Sequence, residues 1–283
     1  LDSFTGRIAF ITGGARGIGL GIARACARAG AKLALVDIDE GALAQARAEL
    51  SPLTKTETYV LDVRDREAYA RVADQVESDL GVVSLLVNNA GVFDNVSPAT
   101  MDYALWDWVM DINVNGVYNG IQTFVPRMIS NGGDHHIVNT ASVAGLAMFD
   151  AGFLYHASKY AIVGLTESLH AKLAQHGIGV SLLCPGPVAT DLVNNTQRLR
   201  PEHAPAHSER MAGALERFQA DLTNHGTSID TVGNMVLDAI REGRLYIHTD
   251  DSAAPAIIAR TEALLAALPS ALRIVPESDW LWH

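Results

Sequence analysis

The chain has 283 residues and a mass of 30.2 kDa, 48% hydrophobic and 19% charged, which excludes global disorder and allows one large or two small domains. Its 32 acidic and 21 basic side chains give a net charge of −11, and such a surface disfavours nucleic acid and anionic membranes as partners. Two cysteines, Cys26 and Cys184, exclude a disulfide framework, read as small buried apolar residues and point to a reducing cytoplasm.

Short apolar runs alternate with longer Ala-rich helical patterns. Residues 7–11 read as a strand and 17–29 as a helix. Strand 32–36, helix 40–50 and strand 57–60 follow, then helix 66–79 and strand 84–88. Residues 103–129 read as one long helical stretch before strand 136–140. Helix 153–175, strand 179–184, helix 228–241, strand 245–248 and helix 254–267 complete the pattern. Strands alternating with helices at this spacing predict βαβ units. Continuously apolar strands, such as 33–36 and 181–183, predict a sheet covered on both faces. The expected fold class is therefore α/β, a doubly wound parallel sheet flanked by helices.

No linker, charge block or repeat divides the chain, so residues 1–283 read as a single domain. No basic segment precedes an apolar core at the start, so no signal peptide is expected. No uncharged stretch reaches membrane-spanning length. Residues 185–227 form the one long irregular piece, with a helical pattern at 208–221, and read as a lid over about 187–227.

Between the first strand and helix lies Thr12-Gly13-Gly14-Ala15-Arg16-Gly17-Ile18-Gly19. Glycine tolerates positive φ in such a turn and lets the backbone approach a pyrophosphate. The helix starting near Gly17 and Ile18 aims free N–H groups at that anion. Asp37 ends the second strand, 18 residues after Gly19. A carboxylate there accepts hydrogen bonds from both adenosine ribose hydroxyls and repels a 2′-phosphate, which favours NAD over NADP. Arg16 pulls the other way, or is a solvated loop charge. Asp62, with Val63 beside it, follows the third strand; its carboxylate meets an adenine amino group or caps the next helix.

Tyr155 and Lys159 stand four apart at the start of a predicted helix and share one face. A phenol with an ordinary pKa of about 10 is a poor base at neutral pH, and a nearby ammonium favours its ionised form. Ser142, just past the carboxyl end of a strand, is placed to hydrogen-bond a substrate oxygen.

Together with Asn88-Asn89-Ala90-Gly91 and Pro185-Gly186-Pro187-Val188-Ala189-Thr190, these motifs resemble the short-chain dehydrogenase/reductases. The spacing of the glycine turn is similar to the single-domain branch, not the extended branch of sugar-nucleotide epimerases, and Asp37 points to its NAD-preferring type. The resemblance implies a Rossmann-type sheet of seven strands and a homotetramer or dimer. It implies Tyr155 as general acid/base and Lys159 as the residue that lowers its pKa and holds the nicotinamide ribose. It implies that Ser142 orients the substrate oxygen and that Asn113 positions a water in a proton relay, with Asn115 as its near neighbour. It places Asn89, Ala90 and Gly91 along the cofactor. Pro185, Gly186, Val188 and Thr190 join them there, Thr190 against the carboxamide.

The expected activity is NAD(H)-dependent interconversion of a secondary alcohol and a ketone. Substrate walls are expected from residues 92–96, 143–153 and 191 onward. Leu146, Met148, Phe149, Phe153 and Leu154 favour an apolar or aromatic substrate. The alternatives are an NADP(H)-dependent carbonyl reductase of the same fold and a non-catalytic dinucleotide sensor. No metal site is expected: His203 with His207 and His135 with His136 read as solvated loop histidines. The tail over about 250–283, with Trp280 and Trp282, reads as cover for this subunit or a neighbouring one.

Overall fold

The computed structural model describes residues 3–149, 152–202 and 204–269. Its strands are Ile8–Thr12 (β1), Lys32–Asp37 (β2), Thr56–Val60 (β3), Val83–Asn88 (β4), His135–Thr140 (β5), Ile178–Cys184 (β6) and Tyr246–His248 (β7). They form one parallel sheet in the order β3-β2-β1-β4-β5-β6-β7. The helices are Gly17–Arg28 (α1), Glu40–Leu50 (α2), Arg66–Asp79 (α3), Tyr103–Met110 (α4) and Gly116–Asn131 (α5). Then come Phe153–Leu173 (α6), Leu192–Leu199 (α7), Glu209–His225 (α8), Ile229–Glu242 (α9) and Ala254–Ala266 (α10).

The period of two along each strand divides the core into two layers. Ala9 and Ile11 of β1, Leu33 and Leu35 of β2, and Leu85 and Val87 of β4 face the layer that holds Ile22 of α1 and Val236 of α9. Phe10, Ala34, Val36 and Leu86 face the other, with Tyr69 of α3 and Phe124 of α5. Both faces are covered, which is why β1, β4 and β5 are buried at every position. Strand order reverses between β1 and β4, so the loops after them splay apart and open a crevice at the carboxyl edge.

Side-chain caps start five of the ten helices among the described residues. Asp39, Asp65, Asp102, Ser208 and Ser228 accept the N–H three residues on, opening α2, α3, α4, α8 and α9. Asp65, and not Asp62, is thus the cap of α3.

Two departures from the expected elements matter for the site. The stretch 103–129 is not one helix, because a π turn at Asp111–Asn115 separates α4 from α5. The extra residue in that turn changes the helical phase and brings Asn113 inward, 1% exposed. Apolar periodicity carries no signal for a one-residue insertion. Residues 185–227 hold two helices, not one. α7 was not expected because only Leu192, Val193 and Leu199 of its eight residues are apolar. His135 and His136 also depart from the expectation of solvated loops: both lie buried in β5, and His136 contacts the Ser181 hydroxyl at 2.9 Å. No helix among the described residues is long and apolar enough to cross a membrane. His203 and the tail residues from 270 on, including Trp280 and Trp282, lie outside the described residues.

Candidate active site

The crevice is a cavity of about 270 Å³ running from the end of β2 to the start of α6. Its floor is the glycine turn, where Gly13, Arg16, Gly17 and Ile18 line it. Gly13 has φ +61°, and a Cβ there would stand 3.0 Å from the Ala90 Cα and the Asn89 amide. Only glycine fits that backbone and that approach. Gly19 does not line the cavity; a Cβ on it would strike the Gly13 carbonyl, so it lets the helix close on the turn. β4 is tied to this turn: Asn89 donates to the Thr12 and Gly13 carbonyls, and Thr12 Oγ1 accepts the Asn89 and Ala90 N–H groups. Ala90 and Gly91 complete that wall. α1 has no side-chain cap and no acid in its first turn, unlike the five capped helices. Its first N–H groups and positive dipole end therefore remain available to an anion, which fits a dinucleotide pyrophosphate.

One end of the cavity is lined by Asp37, Asp39, Asp62 and Val63. Asp37 is held by N–H groups of Ala15 at 3.4 Å and Asp39 at 3.1 Å. Burial pushes its pKa up, and these backbone donors oppose the rise. Arg16 is not a free loop charge: it pairs with Asp39 at 2.6 Å, and Arg198 of α7 approaches the same carboxylate at 3.4 Å. Asp62 is gripped by the Arg64 guanidinium at 2.6 Å. Burial acts to raise the Asp62 pKa, but the Arg64 hydrogen bonds win and hold it low.

Ser142, Tyr155 and Lys159 meet at the other end. Lys159 is buried, donates to the Thr140 carbonyl at 3.1 Å, and its Nζ lies 5.5 Å from the Tyr155 ring centroid. Burial pulls its pKa down to about 8, with the Cys184 thiol beside it pulling the other way. The lowering expected of the Tyr155 pKa needs Lys159 together with the positive nicotinamide of a bound cofactor. In the protein alone burial raises that pKa, and the Ser142 hydroxyl is the neighbour that opposes the rise. Ser142 Oγ accepts the Ala144 N–H at 3.1 Å, which opens a 3₁₀ turn at Val143–Gly145.

Asn113 does not line the cavity. Its Oδ1 accepts the Val92 N–H at 2.8 Å, and its Nδ2 donates to the Val92 carbonyl and to Ser158 Oγ. Both its N–H donors are thus committed to tying the loop after β4 to α6. Asn115 instead bonds Asp111, one turn back.

Pro185 and Thr190 line the far wall, whereas Gly186 and Val188 do not. Gly186 packs against the Asp250 carboxylate, and Val188 is buried beside the α1–α9 core. The wall continues into α7, where Leu192, Asn195 and Leu199 reach the cavity. Trp108 and Ile112 close it from α4 and the π turn. Sequence reasoning missed both, because their helical spacing reads as ordinary core. Leu146, Met148, Phe149, Phe153 and Leu154 do not line the cavity: Met148 is 66% exposed, and Leu154 packs with Val92, Val96 and Leu105. Among the described residues, no group of three or more His, Cys, Asp or Glu side chains is placed to hold a metal ion.

Comparison with known proteins agrees with this fold. A family model described as short chain dehydrogenase matches residues 7–200. A C alpha-dehydrogenase of Sphingobium sp. is 36% identical over 256 residues, covering 87% of this chain and 81% of the relative. A 3beta-hydroxysteroid dehydrogenase 2 of Eggerthella lenta is 37% identical over 189 residues, covering 66% and 73%. The crystal structure of a short chain dehydrogenase/reductase from Burkholderia phymatum in complex with NAD superposes with a TM-score of 0.89 at 34% identity. That match covers 96% of this chain and 100% of the other.

Proposed function

The chain belongs to the short chain dehydrogenases, a family of oxidoreductases, and from that premise we propose that it interconverts a secondary alcohol and a ketone with NAD(H). The observation that carries this reading is one cavity with Ser142, Tyr155 and Lys159 at one end and Asp37 at the other. A nicotinamide dinucleotide, when bound, supplies the hydride acceptor or donor. Tyr155 moves the proton at its phenol oxygen, to and from the substrate oxygen. Ser142 donates a hydrogen bond to that oxygen and so stabilises the charge that grows on it. Lys159 supplies positive charge beside the phenol and, in this reading, holds the nicotinamide ribose. Asn113 acts from behind by fixing Val92 and Ser158, and Ser158 in turn bonds the Tyr155 carbonyl.

NAD is the cofactor this site suits. Asp37 and Asp39 put two carboxylates at the adenosine end, and Asp39 neutralises Arg16, the residue placed to attract a 2′-phosphate. The substrate is an apolar or aryl alcohol, since Val92, Trp108, Ile112, Leu192 and Leu199 line the cavity that ends at the catalytic groups. The name of the Eggerthella relative gives it a hydroxysteroid, a substrate of that kind. Residues 187–227 act as the lid over this end. Exposed Tyr103, Trp106, Tyr118 and Ile129 of α4 and α5 serve subunit contacts in a dimer or tetramer.

The test is NADH formation across aliphatic, aryl, steroidal and sugar alcohols. Turnover is expected with the aryl or steroidal group and NAD. A large preference for NADP overturns the reading of Asp37. Tight dinucleotide binding with no turnover on any alcohol leaves a sensor instead of an enzyme.

A further inference from the structure

His156 lies between Tyr155 and Lys159 in sequence but faces away from the cavity, 4% exposed. Its Nδ1 is 2.7 Å from the Ala144 carbonyl. A carbonyl only accepts, so the proton of the neutral ring sits on Nδ1. Nε2 faces both backbone groups of Phe149, 3.4 Å from its N–H and 3.2 Å from its carbonyl; the shorter Nδ1 contact claims the single proton and leaves Nε2 to accept the N–H. The two ring nitrogens thus hold the two ends of the segment 144–149.

That segment bears directly on the reacting groups. Ala144 is held on both sides: its N–H goes to Ser142 Oγ and its carbonyl receives His156. The 3₁₀ turn is pressed against α6 at Gly145, where a Cβ would stand 2.7 Å from the Lys159 carbonyl oxygen. At the other end, Phe149 and its neighbour Met148 are exposed. An apolar side chain would fill this buried position without needing two partners. The polar ring is justified by what it holds.

Resting on the oxidoreductase reading above, we propose that His156 is a positioning residue with two separable tasks. Its Nδ1 arm sets the rotamer of Ser142 through Ala144. Its Nε2 arm fixes the backbone at Phe149, the far end of the same segment.

The test compares wild type with His156→Phe and His156→Asn on a small and an aryl secondary alcohol. The phenyl ring keeps shape and loses both arms. Asn keeps a donor near the Nδ1 position and loses the Nε2 arm. His156→Phe is expected to lower kcat on both alcohols about tenfold, the scale of a misaligned reacting group. Its dinucleotide Kd should stay within about twofold, because no binding contact changes. His156→Asn, which keeps the donor toward Ala144, is expected to recover kcat on both alcohols. Nitrogen-15 imidazole spectra of the wild type are expected to show the proton on Nδ1. A ring protonated on Nε2 alone overturns the assignment. So does a His156→Phe variant that keeps its kcat, or that loses dinucleotide affinity together with kcat. A wild type that oxidises no alcohol overturns the oxidoreductase reading and this one with it. An active wild type with an unaffected His156→Phe variant overturns this one alone.

Discussion

The two walls of the cavity are built on different principles. On the side of β1 and β4 the chain's own backbone is the wall. Gly13 touches Ala90, Asn89 reaches two turn carbonyls, and Thr12 takes two N–H groups. On the side of α7 and α8 the wall is hung from side chains. The Phe93 N–H reaches Thr196, Arg200 reaches the buried Asp94 at 3.4 Å, and Gln219 reaches the Thr190 carbonyl. A backbone wall follows from the strand order and resists substitution away from its glycines. A side-chain wall is a set of individual pairs, each removable without disturbing the sheet. The first suits a cofactor of fixed shape, and the second can be retuned for substrate.

Tyr155 sits where the walls meet, its ring 5.0 Å edge-on from Phe93. Tyr155→Phe keeps that contact and removes the hydroxyl. We expect kcat for alcohol oxidation to fall about a thousandfold, within the range for a lost general acid/base. Dinucleotide affinity by fluorescence titration should stay within about twofold, because the backbone wall is untouched. A kcat that falls less than tenfold means that another group carries the proton.

The second wall is broken at Asp94, whose side chain is fully buried. Among the described residues Asp94 Oδ1 and Arg200 Nη2 have no hydrogen-bond partner, and His207 stands 3.7 Å from that Oδ1. Asp94→Ala leaves the Arg200 guanidinium largely buried without its carboxylate, at a cost of about 3 kcal/mol. Urea unfolding should show that loss, with a raised KM for the alcohol and an unchanged dinucleotide Kd. A dinucleotide Kd that rises in step means that the walls are not separable.

The first wall is tested more gently at Asp37. Asp37→Ser removes the charge and keeps a small hydrogen-bonding group. We expect the ratio of kcat/KM for NAD to that for NADP to fall about tenfold. An unchanged ratio shifts the discrimination to Asp39, which also lines the cavity and holds Arg16.

The same contrast explains how much was legible in sequence. The sheet, its strand limits and the glycine turn are written in local residue types, because strand period and positive φ act over a few neighbours. Ser142, Tyr155 and Lys159 were legible for the same reason. α7 was not: its tie to the molecule is Thr196 against Phe93, a pair 103 residues apart. Arg198 reaching Asp39 spans still more of the chain. The π turn that brings Asn113 to Val92 leaves the apolar pattern unchanged, so 103–129 reads as one helix. Burial raises the Tyr155 pKa in the protein alone, and no short window of sequence reports that burial.

Lys159 gives the smallest and most diagnostic effect. Burial takes its pKa from the ordinary 10.5 down to about 8, so the folded protein is penalised for carrying the charge. Between about 8 and 10.5 the unfolded chain keeps a proton that the folded chain has released. Stability therefore rises with pH across that window and carries the full penalty below it. Lys159→Met removes the charge and the hydrogen bond to Thr140, and that bond is worth about 1 kcal/mol. At pH 7 the removed penalty outweighs the lost bond, and the variant should melt about 3 °C higher than wild type. By pH 10 that advantage should vanish, because wild type has shed its proton as well. Activity should be lost at both values, since the charge beside Tyr155 is gone. A variant that melts lower than wild type at pH 7 means that the ammonium is already stabilised by its surroundings, and that burial is not what lowers its pKa.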